Sequence, residues 1–347
     1  MRNPLLSLLA LVCMFALAVP DTLASQNNPK RHAKAKATGK AKAAHKGRAA
    51  PKSSTASKSR AVSKAKPAQK AANLRKAAAV PARHAASLHR VAARGSGLDL
   101  KSNVVLVQDN ATGQAVVSKN VNDVQPIASI TKLMTALVVV DGQQPMSKRI
   151  AITEEDVDTE KGSRSRLKVG TELTRNDLLH LALMASENRA AHALGRSHPG
   201  GLGAFVQAMN DKARELGMER TRFVDPTGLS SANVSTAADL VRLVRATNAI
   251  HVIRQYSTDP AYEVNVLGRE VRFHNTNRLV ASSGWDIGLS KTGFISEAGR
   301  CLVMHAVVDG RSLTFVLLDS WGKLSRIGDA NRIRKWLTTA AASRPLG

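Results

Sequence analysis

The stretch Cys301–Leu318, CLVMHAVVDGRSLTFVLL, contains two apolar runs separated by a turn sequence. Residues 301–308 and 312–318 are apolar and rich in β-branched side chains, which favour strands. Between them stands Asp309-Gly310, a pair typical of the tight turn in a β-hairpin. The C-terminal part of the chain is therefore predicted to contain two adjacent antiparallel strands.

A second hairpin is predicted much earlier in the chain. Residues 104–107 (VVLV) and 114–117 (QAVV) flank the sequence Asn110-Ala111-Thr112-Gly113. Two apolar runs joined by a short polar segment that contains glycine indicate a hairpin. Strands are thus expected near both ends of the folded region.

Most of the sequence between the two hairpins is predicted to be helical. Residues 129–140 contain neither Gly nor Pro, and Thr174–Asp177 has the pattern of a capping box. Residues 178–185 are apolar on nearly every side except at His180, which predicts a buried helix. The predicted helices are 129–140, 178–185, 203–217, 236–248 and 322–342. This order indicates one domain over residues 96–347, an antiparallel sheet packed with helices.

The first 24 residues look like a secretory signal peptide. A positive charge at Arg2 precedes the apolar residues 5–19, and Thr22-Leu23-Ala24 supplies the small residues of a cleavage site. The apolar run is shorter than the ~20 residues of a transmembrane helix, so removal is favoured over an uncleaved anchor. Removal leaves one cysteine, Cys301, and hence no intramolecular disulfide. Its apolar neighbours predict a buried structural thiol.

Residues 25–95 are predicted to be disordered and form what we term the basic tail. The chain has a formal net charge of +25, and 19 of its Lys and Arg residues lie in residues 26–95, which contain no Asp or Glu. Such a segment attracts polyanions, including wall polymers and anionic membranes, although a solvated linker fits equally well. It has no aromatic side chain for base stacking, and no nucleic-acid-binding fold signature occurs, so specific nucleic-acid binding is not expected.

Three short elements contain residue types suited to nucleophilic catalysis: Ser129-Ile130-Thr131-Lys132, Ser186-Glu187-Asn188 and Lys291-Thr292-Gly293. A serine hydroxyl needs an adjacent base before it becomes a good nucleophile. Residues three apart share a helix face, so Lys132 can reach the hydroxyl of Ser129. Partial burial and a second cation at Lys291 would both lower the pKa of Lys132 and favour its basic form.

Each element alone is weak, but their ordered combination is specific. Ser-x-x-Lys also occurs at Ser63, Ser165 and Ser320, and Ser-x-Asn recurs elsewhere, whereas Lys-Thr-Gly occurs once. Only Ser129 opens an apolar helix; Ser165 lies in a basic stretch that is predicted to be exposed. The three elements in this order are the set found in serine acyl-transferases that react with penicillin.

The chain resembles the low-molecular-mass penicillin-binding proteins, and within them the D-alanyl-D-alanine endopeptidase subgroup of the periplasm. The resemblance spans roughly residues 98–340 and is carried by Ala128–Val140, Ser186–Ala191, Pro199-Gly200-Gly201, Thr221–Ser230 and Lys291–Phe294. It implies an α/β (α+β) domain of the β-lactamase/transpeptidase-like fold, a five-stranded antiparallel sheet with an α-helical lobe. The two hairpins, with residues 288–295 as a fifth strand, agree with that count.

The resemblance also implies a role for each site residue. Ser129 would form the acyl-enzyme, Lys132 would accept its proton, and Ser186 would relay a proton to the leaving amine. The substrate-binding residues would be Asn188, Lys291, Thr292 and Gly293. The backbone N–H groups of Ser129 and Phe294 would form the oxyanion hole, and the strand that contains Phe294 would pair with the extended peptide. Peptidoglycan peptides and β-lactam antibiotics are the expected ligands, without a cofactor.

Four functions remain open at this point. The first is an endopeptidase that cuts D-alanyl cross-links, and the second is a D-alanyl-D-alanine carboxypeptidase. The latter group usually has a C-terminal β-rich domain and an amphipathic membrane helix, which this sequence lacks after residue 342. A class A β-lactamase would need a Glu-x-x-Leu-Asn element, which does not occur. The fourth function is a non-enzymatic polyanion-binding adaptor that acts through the basic tail.

Other polar residues near the three elements receive structural interpretations. Glu187 is expected to be salt-bridged or solvent-facing rather than a general base. Asp225-Pro226-Thr227-Gly228 is a turn sequence whose likeness to the family is attributed to loop architecture. No His-Glu-x-x-His pattern occurs, so no metal site is predicted.

Overall fold

The computed structural model of the chain describes residues 97–342. The predicted signal peptide and the basic tail lie outside these residues. Within the described range, no helix is both long enough and apolar enough to cross a membrane.

The domain contains eleven strands within the described residues: β1 (Ser102–Asp109), β2 (Ala115–Lys119), β3 (Gln125–Pro126), β4 (Arg149–Ala151), β5 (Glu172–Thr174), β6 (Val234–Ser235), β7 (Ala261–Val266), β8 (Arg269–His274), β9 (Asp286–Ile295), β10 (Gly299–Val308) and β11 (Arg311–Ser320). Five of them form the central antiparallel sheet, in the order β2-β1-β11-β10-β9. Three pairs of shorter strands, β3–β6, β4–β5 and β7–β8, lie outside it.

Both predicted hairpins and the predicted fifth strand are confirmed. β1 pairs with β2, and β10 pairs with β11 across the Asp309-Gly310 turn. β1 also pairs with β11, which brings the two ends of the folded region side by side. Among the described strands β9 pairs with β10 alone, so its other edge has no strand partner there and could accept an extended peptide.

The helices agree with the predicted pattern in kind and differ at their ends. They are α1 (Thr131–Asp141), α2 (Arg175–Met184), α3 (Asn188–Arg196), α4 (Gly201–Glu215), α5 (Ala237–Asn248), α6 (His251–Thr258) and α7 (Ser325–Ala342). The helix predicted from residue 129 begins two residues later. Residues Ala128–Ile130 form a 3₁₀ turn instead, because Ala128 has a φ of 46° and cannot continue a regular helix.

Apolar side chains cover both faces of the central sheet. On one face β10 and β11 pack with α1, α2 and α5, and on the other α7 packs with Leu302, Phe315 and Leu317. Helix α2 is buried as predicted, and its exceptional residue His180 stacks against the ring of Tyr256 at a centroid distance of 4.2 Å. The elements α3, α6 and the β7–β8 hairpin were absent from the predicted set.

Candidate active site

Ser129 lies in the 3₁₀ turn that precedes α1, and its apolar neighbours in this turn are buried in the core. Ile127 and Ile130 are fully buried, while Ser129 itself is half-buried. The left-handed backbone at Ala128 is uncommon for a residue with a Cβ and is often found at functional sites. The apolar neighbours thus anchor a turn that presents the Ser129 hydroxyl at the surface of the core.

Three oxygen atoms surround the Nζ atom of Lys132. Nζ lies 2.8 Å from Oγ of Ser129, 2.7 Å from Oδ1 of Asn188 and 2.7 Å from the backbone oxygen of Thr227. The last two oxygens can only accept hydrogen bonds. In a neutral amine, the two hydrogens would therefore be donated to Asn188 and Thr227, and the lone pair would face the Ser129 hydroxyl. This arrangement suits removal of a proton from that hydroxyl.

Burial brings the basicity of Lys132 into the physiological range. The side chain is inaccessible to solvent, and this desolvation lowers its pKa to about 7. The negative charges of Asp225 and Glu187 act in the opposite direction and limit the fall in pKa. A substantial fraction of Lys132 is therefore neutral near pH 7.

The connection between α2 and α3 contains Ser186, and Asn188 is the first residue of α3. Ser186 adopts a positive φ of 61°, which ends α2 and allows α3 to begin at Asn188. The Oγ atom of Ser186 accepts a hydrogen bond of 2.9 Å from Nζ of Lys291, on β9. Asn188 accepts from Lys132 through Oδ1 and donates through Nδ2 to Oγ of Ser163, at 2.9 Å.

β9 brings Lys291, Thr292, Gly293 and Phe294 alongside the turn that contains Ser129. Lys291 is buried, and desolvation together with the charge of Lys132 holds its pKa well below the usual value for lysine. A Cβ on Gly293 would lie 3.1 Å from the backbone nitrogen of Ser129, so glycine permits this close approach. The backbone nitrogens of Ser129 and Phe294 therefore belong to two adjacent chain segments.

The loop Asp225–Gly228 contributes directly to the site, a role that the sequence interpretation missed. One Asp225 oxygen accepts hydrogen bonds from the backbone nitrogens of Thr227 and Gly228, at 2.6 and 2.8 Å. This closed turn aims the Thr227 carbonyl at Lys132. A Cβ on Gly228 would lie 1.9 Å from the Ala128 carbonyl oxygen, so only glycine fits there.

The prediction that the Glu187 side chain is salt-bridged or faces solvent is wrong. Its Oε2 atom accepts a 2.6 Å hydrogen bond from Oγ of Ser165, and its pKa is raised, mainly by burial. Ser165 is half-buried, whereas the sequence suggested an exposed stretch. Ser163 and Ser165 thus join a surface loop to Asn188 and Glu187, two consecutive residues at the start of α3.

Arg326, at the start of α7, is a further cation of the site that sequence reasoning missed. Its positive charge helps to lower the pKa of Lys291. Among the described residues its buried Nε and Nη1 atoms have no hydrogen-bond partner. Burial lowers the pKa of Arg326 itself, and the charge of Arg300 acts in the same direction. A guanidinium group with free donors is well suited to bind a carboxylate.

The chain matches the family description "D-alanyl-D-alanine carboxypeptidase" over residues 90–321. The chain belongs to this family. Two relatives named D-alanyl-D-alanine endopeptidase are similar to it. That of Pseudomonas aeruginosa is 47% identical over 245 residues, which cover 70% of this chain and 78% of the relative. That of Escherichia coli is 41% identical over 271 residues, which cover 75% and 85%.

Solved structures of the D-alanyl-D-alanine carboxypeptidase family share the fold. A Streptomyces DD-transpeptidase superposes with a TM-score of 0.64 at 26% identity, covering 70% of this chain and 98% of the other. A D-alanyl-D-alanine carboxypeptidase from Mycobacterium tuberculosis gives 0.63 at 27% identity, covering 72% and 94%. The predicted family resemblance and the predicted penicillin-binding fold are thus confirmed, and the chain is a serine peptidase of this family.

Cys301 offers this family member no second nucleophile. The thiol is fully buried, donates a hydrogen bond to the Ala298 carbonyl, and has its pKa raised to about 11 by desolvation. This confirms the predicted buried cysteine. Across residues 97–342, no group of His, Cys, Asp or Glu side chains is arranged to hold a metal ion.

Proposed function

We propose that the chain is a serine DD-endopeptidase that hydrolyses D-alanyl cross-links in peptidoglycan through an acyl-enzyme on Ser129. The observation that carries this proposal is the environment of Lys132 Nζ, with two carbonyl acceptors and the Ser129 hydroxyl within 2.8 Å. Its pKa of about 7 makes the neutral base accessible at physiological pH. The high identity to two relatives named D-alanyl-D-alanine endopeptidase supports the choice of substrate.

In the acylation step, Lys132 takes the Ser129 proton while Oγ attacks the D-alanyl carbonyl carbon. The developing oxyanion accepts hydrogen bonds from the N–H groups of Ser129 and Phe294, and each such donor is worth roughly 100-fold or more in rate. The amide C–N bond then breaks, and the leaving amine receives a proton relayed through the Ser186 hydroxyl. In hydrolysis, water attacks the ester carbon while Lys132 accepts its proton. The bond between that carbon and Ser129 Oγ then breaks, and Lys132 returns the proton to Oγ.

The substrate would lie along the free edge of β9 as an added strand. Asn188 is proposed to bind its backbone amide, and Thr292 to donate to its carboxylate beside Lys291. The short side-chain-free segment at Gly293 would bring the scissile carbonyl close to Ser129. Arg326 is proposed to assist in carboxylate binding because its buried donors lack a partner among the described residues.

Digestion of purified cross-linked muropeptide dimers tests this function. The chain is expected to release two monomers, and the Ser129→Ala variant is expected to release none. Release of terminal D-alanine from pentapeptides with dimers left intact would instead identify a carboxypeptidase, the activity named for several other relatives of this chain. Intact dimers and intact pentapeptides together would contradict both activities.

The sequence before the folded domain supports a proposed location and a proposed contact. We infer that residues 1–24 direct the chain to the periplasm, where β-lactams and peptidoglycan peptides would meet the site. The 19 Lys and Arg residues of the basic tail would attract anionic wall or membrane surfaces, with strong salt dependence. Equal sedimentation with sacculi at low salt, with and without residues 25–95, would contradict that contact.

A further inference from the structure

Phe294 and Arg300 form an exposed platform at the free edge of β9. The two residues are direct partners in the β9–β10 ladder. The Phe294 side chain is 54% exposed, and the guanidinium carbon of Arg300 lies 4.5 Å from the centre of its ring. This cation–π contact holds the long arginine side chain over the ring and leaves its in-plane N–H donors available.

Arg300 lacks an acidic partner. Within residues 97–342 its guanidinium group packs on the Phe294 ring, and no carboxylate forms an ion pair with it. The nearby Arg326 also has unpartnered buried donors. The charge of Arg300 lowers the pKa of Arg326, so the two guanidinium groups interact electrostatically. An anion bound beside them would offset their mutual repulsion.

The platform lies directly beside the reacting groups. Phe294 follows Gly293, at which an added Cβ would lie 3.1 Å from the Ser129 backbone nitrogen. Arg326 is close enough to Lys291 for its charge to help lower the pKa of that lysine. Positive charge is therefore present at the proposed carboxylate site, at Lys291 and Arg326, and also at the exposed Phe294 ring, at Arg300. A ligand with two negative groups would be stabilised at both places.

The leaving groups of the two candidate reactions, endopeptidase and carboxypeptidase, differ in the number of carboxylates that they carry. A carboxypeptidase releases free D-alanine, which carries one carboxylate. The leaving strand of a cross-link carries one carboxylate near the scissile amide and another at its own C-terminus. We propose that Arg300, held on the face of Phe294, binds this second carboxylate and makes the enzyme selective for cross-linked peptides. The proposal rests on the endopeptidase function and adds a specificity-determining residue to it.

The test compares Arg300→Gln with the parent chain on three soluble substrates. These are a cross-linked dimer, the same dimer with the second carboxylate of its leaving strand amidated, and a monomeric pentapeptide. One charge-assisted hydrogen bond corresponds to a change of about tenfold in kcat/KM. The parent is expected to cleave the free-acid dimer about tenfold better than the amidated dimer. In Arg300→Gln this preference is expected to disappear, and the dimer-to-pentapeptide ratio to fall by about the same factor.

Lys335→Gln is the matched control, because it removes an exposed positive charge farther along α7. It is expected to keep the preference for the free-acid dimer. Equal rates on both dimers in the parent chain, or an unchanged preference in Arg300→Gln, would overturn the role of Arg300 while the endopeptidase function stands. Failure of the parent to cleave either dimer, despite acylation by benzylpenicillin, would overturn the endopeptidase function itself.

Discussion

In the proposed mechanism, the pH dependence of acylation is set by one buried amine. Lys132 must be neutral to accept the Ser129 proton, so the rate is expected to rise with pH as the ammonium form is lost. With a pKa of about 7, the neutral fraction is roughly one tenth at pH 6 and roughly nine tenths at pH 8. The second-order rate constant for acylation is therefore expected to increase about tenfold over this interval and to level off above it.

An unburied lysine would behave differently. With the ordinary value of 10.5, the neutral fraction would rise about 100-fold from pH 6 to pH 8 without levelling. The assay is the rate of labelling by a fluorescent penicillin, measured by stopped flow across pH 5.5–9. Lys132→Arg is the control because it keeps the positive charge and has no accessible neutral form. It is expected to abolish labelling.

The carboxylate of Glu187 allows an independent test of what sets the pKa of Lys132. Glu187 raises the pKa of Lys132, in opposition to desolvation. Glu187→Gln removes that charge, so the midpoint of the pH profile is expected to move to lower pH. A profile that still rises tenfold per pH unit between pH 8 and pH 9 would refute the assignment of a near-neutral base, as would rapid labelling of Lys132→Arg.

Three further changes have expected outcomes. Gly228→Ala places a Cβ 1.9 Å from the Ala128 carbonyl oxygen, in the turn that contains Ser129. This turn must shift, so the rate of penicillin labelling should fall at least ~100-fold. A rate within threefold of the parent would contradict this packing. Asn233→Ala leaves partly buried backbone groups of Val224 and Asp225 unpaired. Urea unfolding should show a loss of about 3 kcal/mol, and a loss below ~1 kcal/mol would contradict their dependence on this amide. Lys161→Ala removes an exposed ion pair with Glu297, and the unfolding free energy should change by less than ~1 kcal/mol; a larger loss would show that the pair is structurally important.

The sequence predicted those parts of the fold that depend on local patterns. The hairpin across Asp309-Gly310 follows from two β-branched runs and a strong turn pair, and it was predicted correctly. The β7–β8 hairpin turns instead at Leu267-Gly268, without the Asp-Gly or Asn-Gly pair that marks a tight turn. Its strands do alternate, with apolar residues at 262, 264 and 266 and again at 271 and 273, and the prediction overlooked this signal.

The candidate site likewise contains some residues that the sequence could predict and others that it could not. Ser129, Lys132 and Lys291 could be selected from short motifs because their chemistry depends on side-chain type and spacing. The Thr227 carbonyl could not, because any residue provides a backbone oxygen and only the closed turn aims it at Lys132. Arg326 was also missed, since its proximity to Lys291 arises from the packing of α7 against the sheet.

The central claim is that Ser129 is the nucleophile of a penicillin-reactive serine peptidase. Intact-mass spectrometry of the purified chain after benzylpenicillin, beside its Ser129→Ala variant, tests this most directly. The account predicts one equivalent of ring-opened benzylpenicillin on the parent chain, mapped to the peptide that contains Ser129, and none on the variant. A folded parent chain that stays unlabelled, or a variant labelled to the same extent, would contradict it.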